Sequence, residues 1–224
     1  MTDTDAIQFM PASAETDRLL VTFGGIAGGF SLPPFEFNRL TQDLGCHRLF
    51  IRDLAQAWYQ CGVPGLGGTV AQMADGLRAR IADIAPRRTV FIGNSMGGFG
   101  ALLFGALLDV PEVHAFAPQT FVDRRSRLLA RDFRWRHQIR GMHRALRRED
   151  AVLDLRAPLR QLGQTRFHVH YGTGDRLESL HARRLENMDA VTLYPQHGVN
   201  HALVKDLRDT GVLLPALRKA LLLD

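Results

Sequence analysis

Along the chain, short apolar runs rich in β-branched and aromatic residues alternate with longer stretches whose apolar positions recur every three or four residues. Arg18–Phe23 (RLLVTF), His47–Asp53 (HRLFIRD) and Arg88–Gly93 (RTVFIG) are of the first kind and read as buried strands. Thr69–Ala85 is of the second kind, with Val70, Met73, Leu77, Ile81 and Ile84 on one side of a helix. Met96–Leu108 is apolar and small enough for a helix buried on all sides. Further strands are expected near Val113–Ala117, at Arg166–Tyr171 and at Val191–Tyr194, with helices near Leu177–Glu186 and through Leu214–Leu223. Strands alternating with helices imply an α/β fold, a mainly parallel sheet with helices on both faces. Ligands of such sheets bind at the carboxyl ends of strands, which directs attention to the turns after Phe23, Gly93, Gly172 and Tyr194.

The 224 residues fit one domain, 1–224, and 46% hydrophobic with 23% charged residues is an ordinary globular balance that excludes disorder and a disulfide-dense scaffold. No apolar run approaches the ~20 residues of a membrane-spanning helix, so no span is expected. The acidic start Met1-Thr-Asp-Thr-Asp lacks a secretory pattern and points to the cytoplasm. Cys46 and Cys61 are the two cysteines, expected as reduced thiols, and a metal cluster built on cysteine is excluded.

Charge changes this picture in one place. The net charge is +5, yet residues 121–150 hold ten arginines against Asp123, Asp132, Glu149 and Asp150, so this segment carries the whole positive excess. The rest of the chain lacks the basic field of a nucleic-acid binder, and none is expected as partner. Within the segment Leu128, Trp135, Ile139, Met142 and Leu146 follow helical spacing, which predicts one or two amphipathic basic helices inserted between strands. The arginines form either a solvated face or an anion-seeking surface for an acidic polysaccharide, a phosphate-bearing acyl donor or a membrane face.

The candidate chemistry lies at Gly93-Asn94-Ser95-Met96-Gly97, a G-x-S-x-G element between a strand and an apolar helix. A sharp turn there projects Ser95 above the sheet, and glycine is needed at 93 and 97 because a side chain would collide with neighbouring backbone. The turn also sets the Met96 backbone N–H at a helix N-terminus beside Ser95, where it can stabilise an oxyanion.

With this element and the order of strands, the sequence resembles the α/β-hydrolase superfamily from Leu19 to the C-terminus. The resemblance implies a three-layer α/β-hydrolase-like fold with a small basic insertion, 121–163, acting as a cap. It also implies a triad in the order Ser, acid, His. Asp175 follows the run Val169-His-Tyr-Gly-Thr-Gly, and His201 follows Leu193–Tyr194 through a glycine-containing loop, so Ser95, Asp175 and His201 are the implied triad, with Asp123 and His197 as substitutes. A second oxyanion donor would be the Ile26 N–H, in Phe23-Gly24-Gly25-Ile26, where many relatives have a His-Gly pair. GGIAGG fits neither G-x-G-x-x-G nor G-x-x-x-x-G-K-[ST], so nucleotide binding is disfavoured.

The implied function is a serine hydrolase cleaving an ester or thioester through an acyl-enzyme, or an acyltransferase using the same triad on an alcohol such as a sugar. A non-catalytic interaction subunit is the third reading. No cofactor is expected. The partner is an acyl-bearing small molecule, anionic if Arg134, Arg136 and Arg140 contact it. No metal site is expected: His168 and His170 share one face of a strand, but the sequence specifies no third ligand. Trp58, Tyr59 and the glycine-rich Gly62–Gly68 follow a strand end and read as a packed loop or as pocket lining.

Overall fold

The computed structural model describes residues 6–26, 37–146, 150–160, 163–198 and 203–223. The β-branched and aromatic runs form β2 (Arg18–Phe23), β3 (His47–Ile51), β4 (Arg88–Asn94), β5 (Glu112–Phe116), β6 (Arg166–Gly172) and β7 (Val191–Gln196). With β1 (Ile7–Met10) they build a sheet in the order β1-β3-β2-β4-β5-β6-β7, parallel throughout except where β1 pairs antiparallel with β3. Strand β1 is missing from the sequence reading because its four residues, IQFM, are too few to establish a period.

Alternation along β2 sorts the core into two layers. Leu19, Val21 and Phe23 pack with α1 (Val70–Ile84) and α2 (Met96–Leu108), while Leu20 joins Val90, Ile92 and Phe116 against Leu207 of α7 (Leu203–Asp209) and Leu217 of α8 (Leu213–Leu221). Each fully buried leucine or phenylalanine contributes about 1.5–3 kcal/mol, so the pattern that sorts the faces also holds the sheet between its helices. Helix α1 starts where the Thr69 hydroxyl accepts the Gln72 N–H at 3.2 Å and ends at left-handed Ala85.

From β2 the chain runs outward to β3, returns through α1 to β4, and then builds the sheet on the other side. The ends of β2 and β4 therefore open side by side at the reversal, with Phe23 paired to Gly93.

Between β5 and β6 lie α3 (Arg124–Ala130), α4 (Arg136–Ala145) and the short α5 (Arg156–Leu159). The helical spacing read from Leu128 to Leu146 divides between two helices, and the place of Leu128 on their apolar side is corrected here. Ile139 and Met142 are buried, but Leu128 is 68% exposed and its neighbour Leu129 75%. Left-handed Arg131 ends α3 and left-handed Trp135 precedes α4, so the helical phase is reset between the two and cannot carry one face through both. Among the described residues no helix is long and apolar enough to cross a membrane.

Candidate active site

Strand β4 hands the chain to α2 at Ser95, whose φ of 55° and ψ of −117° lie outside the regions an L-residue prefers. Such strain persists where the surroundings enforce it. Here the Ser95 N–H is spent on the Phe116 carbonyl at 2.8 Å, and the chain on both sides is too close for side chains. A β-carbon on Gly93 would overlap the Gly97 carbonyl, and one on Gly97 would overlap the Phe23 carbonyl. Met96 is the first residue of α2, where an N–H has no partner inside its helix. Because Gly97 also lies against Gly24, the elbow rests on the segment that leads to half-buried Ile26. The two expected oxyanion segments are thus neighbours.

Three of the remaining triad candidates lie among the described residues. Asp175 follows β6 and caps α6 (Arg176–Arg183), its Oδ1 accepting the Leu177 N–H at 2.7 Å and the Glu178 N–H at 3.3 Å. Asp123 does the same for α3, accepting the Ser126 N–H at 2.8 Å, and leaves its Oδ2 buried without a hydrogen bond. His197 is exposed just beyond β7. His201 lies outside the described residues.

Gln119, to which sequence reasoning assigned no role, contacts Ser95, and Trp58 in turn contacts Gln119. The Gln119 Nε2 donates to Ser95 Oγ at 3.2 Å, and the Trp58 indole N–H donates to Gln119 Oε1 at 3.0 Å; all three side chains are buried. Trp58 belongs to a loop after β3 organised by Asp53. The Asp53 carboxylate accepts the N–H groups of Ala55 (3.0 Å), Ala57 (2.7 Å) and Tyr59 (2.8 Å). Burial pushes the Asp53 carboxyl up, partly offset by these backbone donors. Tyr59 then donates its hydroxyl to the Gly24 carbonyl at 2.8 Å. The aromatic pair at a strand end was a legible signal, whereas Gln119, in Pro-Gln-Thr, matches no pattern.

The arginines divide. Arg134 is engaged, its Nε and Nη2 donating to the two oxygens of Asp132 at 3.0 and 2.9 Å. The same buried carboxylate accepts the His181 Nε2–H at 3.0 Å, a tautomer fixed because His181 Nδ1 accepts the Thr120 N–H. Burial would raise the Asp132 carboxyl, but His181 and Arg134 hold it far below the usual range. Arg136 is exposed and lies 4.6 Å over the Phe133 ring, and Arg140 is exposed. Arg176, next to Asp175, donates both terminal nitrogens to the Ala130 carbonyl, which ties the insertion to the segment carrying that acid.

A ligand group forms here without His170 of the expected pair: His168 is joined by Glu112 and His114 of neighbouring β5. Glu112, His114 and His168 each offer one ligand atom, and the three atoms lie within 4.8 Å of one another, a group that could hold a metal ion. Its present arrangement is that of an ion-pair network. Arg88 and Arg166 hold Glu112 Oε2 at 2.5 and 3.1 Å, and His114 Nε2 lies 3.0 Å from Oε1. The imidazoles of His114 and His168 stack with centroids 4.5 Å apart and planes 13° from parallel. His170 completes the stack, its Nε2 3.3 Å from His114 Nδ1. Burial and the neighbouring histidines push His168 down to about 4 and His170 to about 3. Burial opposes ionisation of Glu112, yet the hydrogen bond and charge of His114, with His168 and Arg166, bring it to about 2.

No family model matches the chain, and no curated protein matches it in sequence. Solved structures do match. The capsule O-acetyltransferase of Neisseria meningitidis serogroup A is 15% identical over 94% of this chain and 92% of that one, with a TM-score of 0.66. MGS-MChE2, an α/β hydrolase enzyme from the metagenome of lagoon sediments at Mar Chica, Morocco, is 16% identical over 96% and 95%, TM-score 0.63. FphF, a fluorophosphonate-binding serine hydrolase of Staphylococcus aureus, is 11% identical over 92% and 90%, TM-score 0.61. The chain has the α/β-hydrolase fold.

Proposed function

We propose that this chain is a serine hydrolase cleaving an ester or thioester through an acyl-enzyme on Ser95. The observation that carries this reading is the strained backbone of Ser95 at the β4–α2 junction, since nothing in the packing of an ordinary strand-to-helix turn calls for it. His201 takes the Oγ proton as Oγ bonds to the acyl carbon, and the Met96 and Ile26 N–H groups receive the charge that develops on the carbonyl oxygen. Collapse expels the alcohol or thiol, which recovers the proton from His201. Water then repeats the sequence, releasing the acid and returning the proton to Oγ. Asp175 orients His201 and stabilises its imidazolium. The route requires no metal or cofactor.

A second reading keeps the acyl-enzyme and replaces water by an alcohol. The fold likeness to a capsule O-acetyltransferase, another structure of which is a complex with CoA, favours keeping it, and exposed Arg136 and Arg140 offer charge to a phosphate-bearing donor.

A fluorophosphonate probe should label the native protein and leave Ser95→Ala unlabelled. Absence of labelling in the native protein would overturn the proposal. Analysis of products from a labile ester, with and without an added alcohol, separates release of free acid from acyl transfer.

A further inference from the structure

The hydrogen bond from Gln119 to Ser95 has a fixed sense. An indole N–H can only donate, so Trp58 selects the amide oxygen of Gln119 and leaves the amide nitrogen facing Ser95 Oγ. Both bonds are buried, where no water competes for either partner. Gln119 is also held along its backbone. Two residues before it, Ala117 donates its N–H to the His170 carbonyl at 2.8 Å, and one residue after it, Thr120 donates its N–H to His181 Nδ1 at 3.0 Å. Trp58 and Tyr59 are consecutive bulky residues with φ of 52° and 61°, a conformation held where Asp53 gathers the loop through the Ala57 and Tyr59 N–H groups. Strain is thus retained in a loop whose indole reaches Gln119.

We infer that Gln119 is a further catalytic residue of the Ser95 reaction and that Trp58 is its positioning residue. The inference rests on Ser95 being the nucleophile. Oγ bears negative charge twice, once after its proton has left and before the bond to the acyl carbon is complete, and again when that bond breaks to release the acid. A donor aimed at Oγ holds the hydroxyl in one rotamer beforehand and stabilises the charge at both moments. An amide N–H does not give up its proton, so Gln119 supports the charge without competing with the base that takes the Oγ proton.

The test is the rate of phosphonylation by a fluorophosphonate, measured beside thermal melting. Gln119→Leu is expected to slow labelling roughly ten- to hundredfold, at or below the ~10²–10³ that loss of one preorganised oxyanion donor costs. Trp58→Phe, which keeps most of the ring volume, is expected to slow it about three- to tenfold in the native background and to have no further effect in Gln119→Leu, because Trp58 acts through the amide. Gln119→Glu supplies a donor when protonated and a repelling charge when ionised, so its rate relative to the native protein should fall as pH rises. A merely structural role moves melting temperature and leaves that ratio flat.

Labelling of Gln119→Leu at the native rate overturns the inference while leaving the hydrolase reading intact. If that variant fails to fold, a pH-independent ratio for Gln119→Glu, or equal Trp58→Phe effects in the native and Gln119→Glu backgrounds at a pH where the new carboxyl is ionised, overturns it instead. A native protein that does not label overturns both.

Discussion

A β-carbon on Gly97 would overlap the carbonyl oxygen of Phe23, because the first turn of α2 lies directly on the end of β2. The obstacle is backbone on both sides, so no rotamer change can relieve it. Gly97→Ala should therefore displace the elbow, cost several kcal/mol of stability, on the order of other overpacked sites, and slow fluorophosphonate labelling at least tenfold. Gly141→Ala is the control: the site is open, lies inside α4, and should gain about 0.5–1 kcal/mol in urea unfolding.

The strain at Ser95 yields a separate expectation. Ser95→Gly and Ser95→Ala should both abolish labelling, but glycine tolerates φ of 55° with ψ of −117° and alanine does not. Ser95→Gly should melt higher than Ser95→Ala, by a difference of about 1 kcal/mol or more. Equal melting temperatures would show that the turn is not strained.

Both acid candidates cap helices, so replacing either by alanine confounds folding with chemistry. Asparagine caps as well as aspartate, which makes Asp→Asn a test of charge alone. Asp175→Asn should lower turnover of a small ester by several orders of magnitude with little change in melting, and Asp123→Asn should leave turnover within about tenfold. The reverse ranking would move the acid to the end of β5.

Arginine substitutions should separate into two kinds. Arg134→Gln removes a partner of buried Asp132, which also holds His181, and should destabilise by about 3 kcal/mol or more. Arg136→Gln with Arg140→Gln should leave stability and neutral-ester turnover nearly unchanged and weaken binding of an anionic substrate, the loss shrinking at high salt. Equal losses on neutral and anionic substrates would mark these arginines as surface charge without a role in recognition.

Acid should weaken the fold through the stacked histidines. His168 and His170 are depressed to about 4 and 3 from an ordinary 6.5, so as pH falls from about 6.5 the unfolded chain binds protons that the folded one refuses. Stability falls through this window, by up to about 1.4 kcal/mol per pH unit for each histidine, and Glu112 adds a loss between its ordinary 4.5 and about 2. Urea midpoints from pH 7 to 4 should drop less steeply in His168→Gln; an unchanged slope would remove His168 from the account.

The alternation of strands and helices, the buried α2 and the elbow glycines were legible because each rests on local rules: a period of 2 or 3.6, or a turn that excludes a side chain at fixed spacing. The tight turn at Ser95 could be picked out for the same reason. The sequence could not place β1, which is too short to show a period, nor foresee that Arg131 and Trp135 would reset the helical phase and leave Leu128 in solvent. Gln119 is unmarked in the sequence, since a lone glutamine acquires meaning only when Trp58, 61 residues earlier, turns its amide toward Ser95. The same holds for His168, whose neighbours Glu112 and His114 come from the adjacent strand by register. Local periodicity and turn sterics are written along the chain; which distant polar groups share a buried site follows from strand order and register, and those only the packed sheet decides.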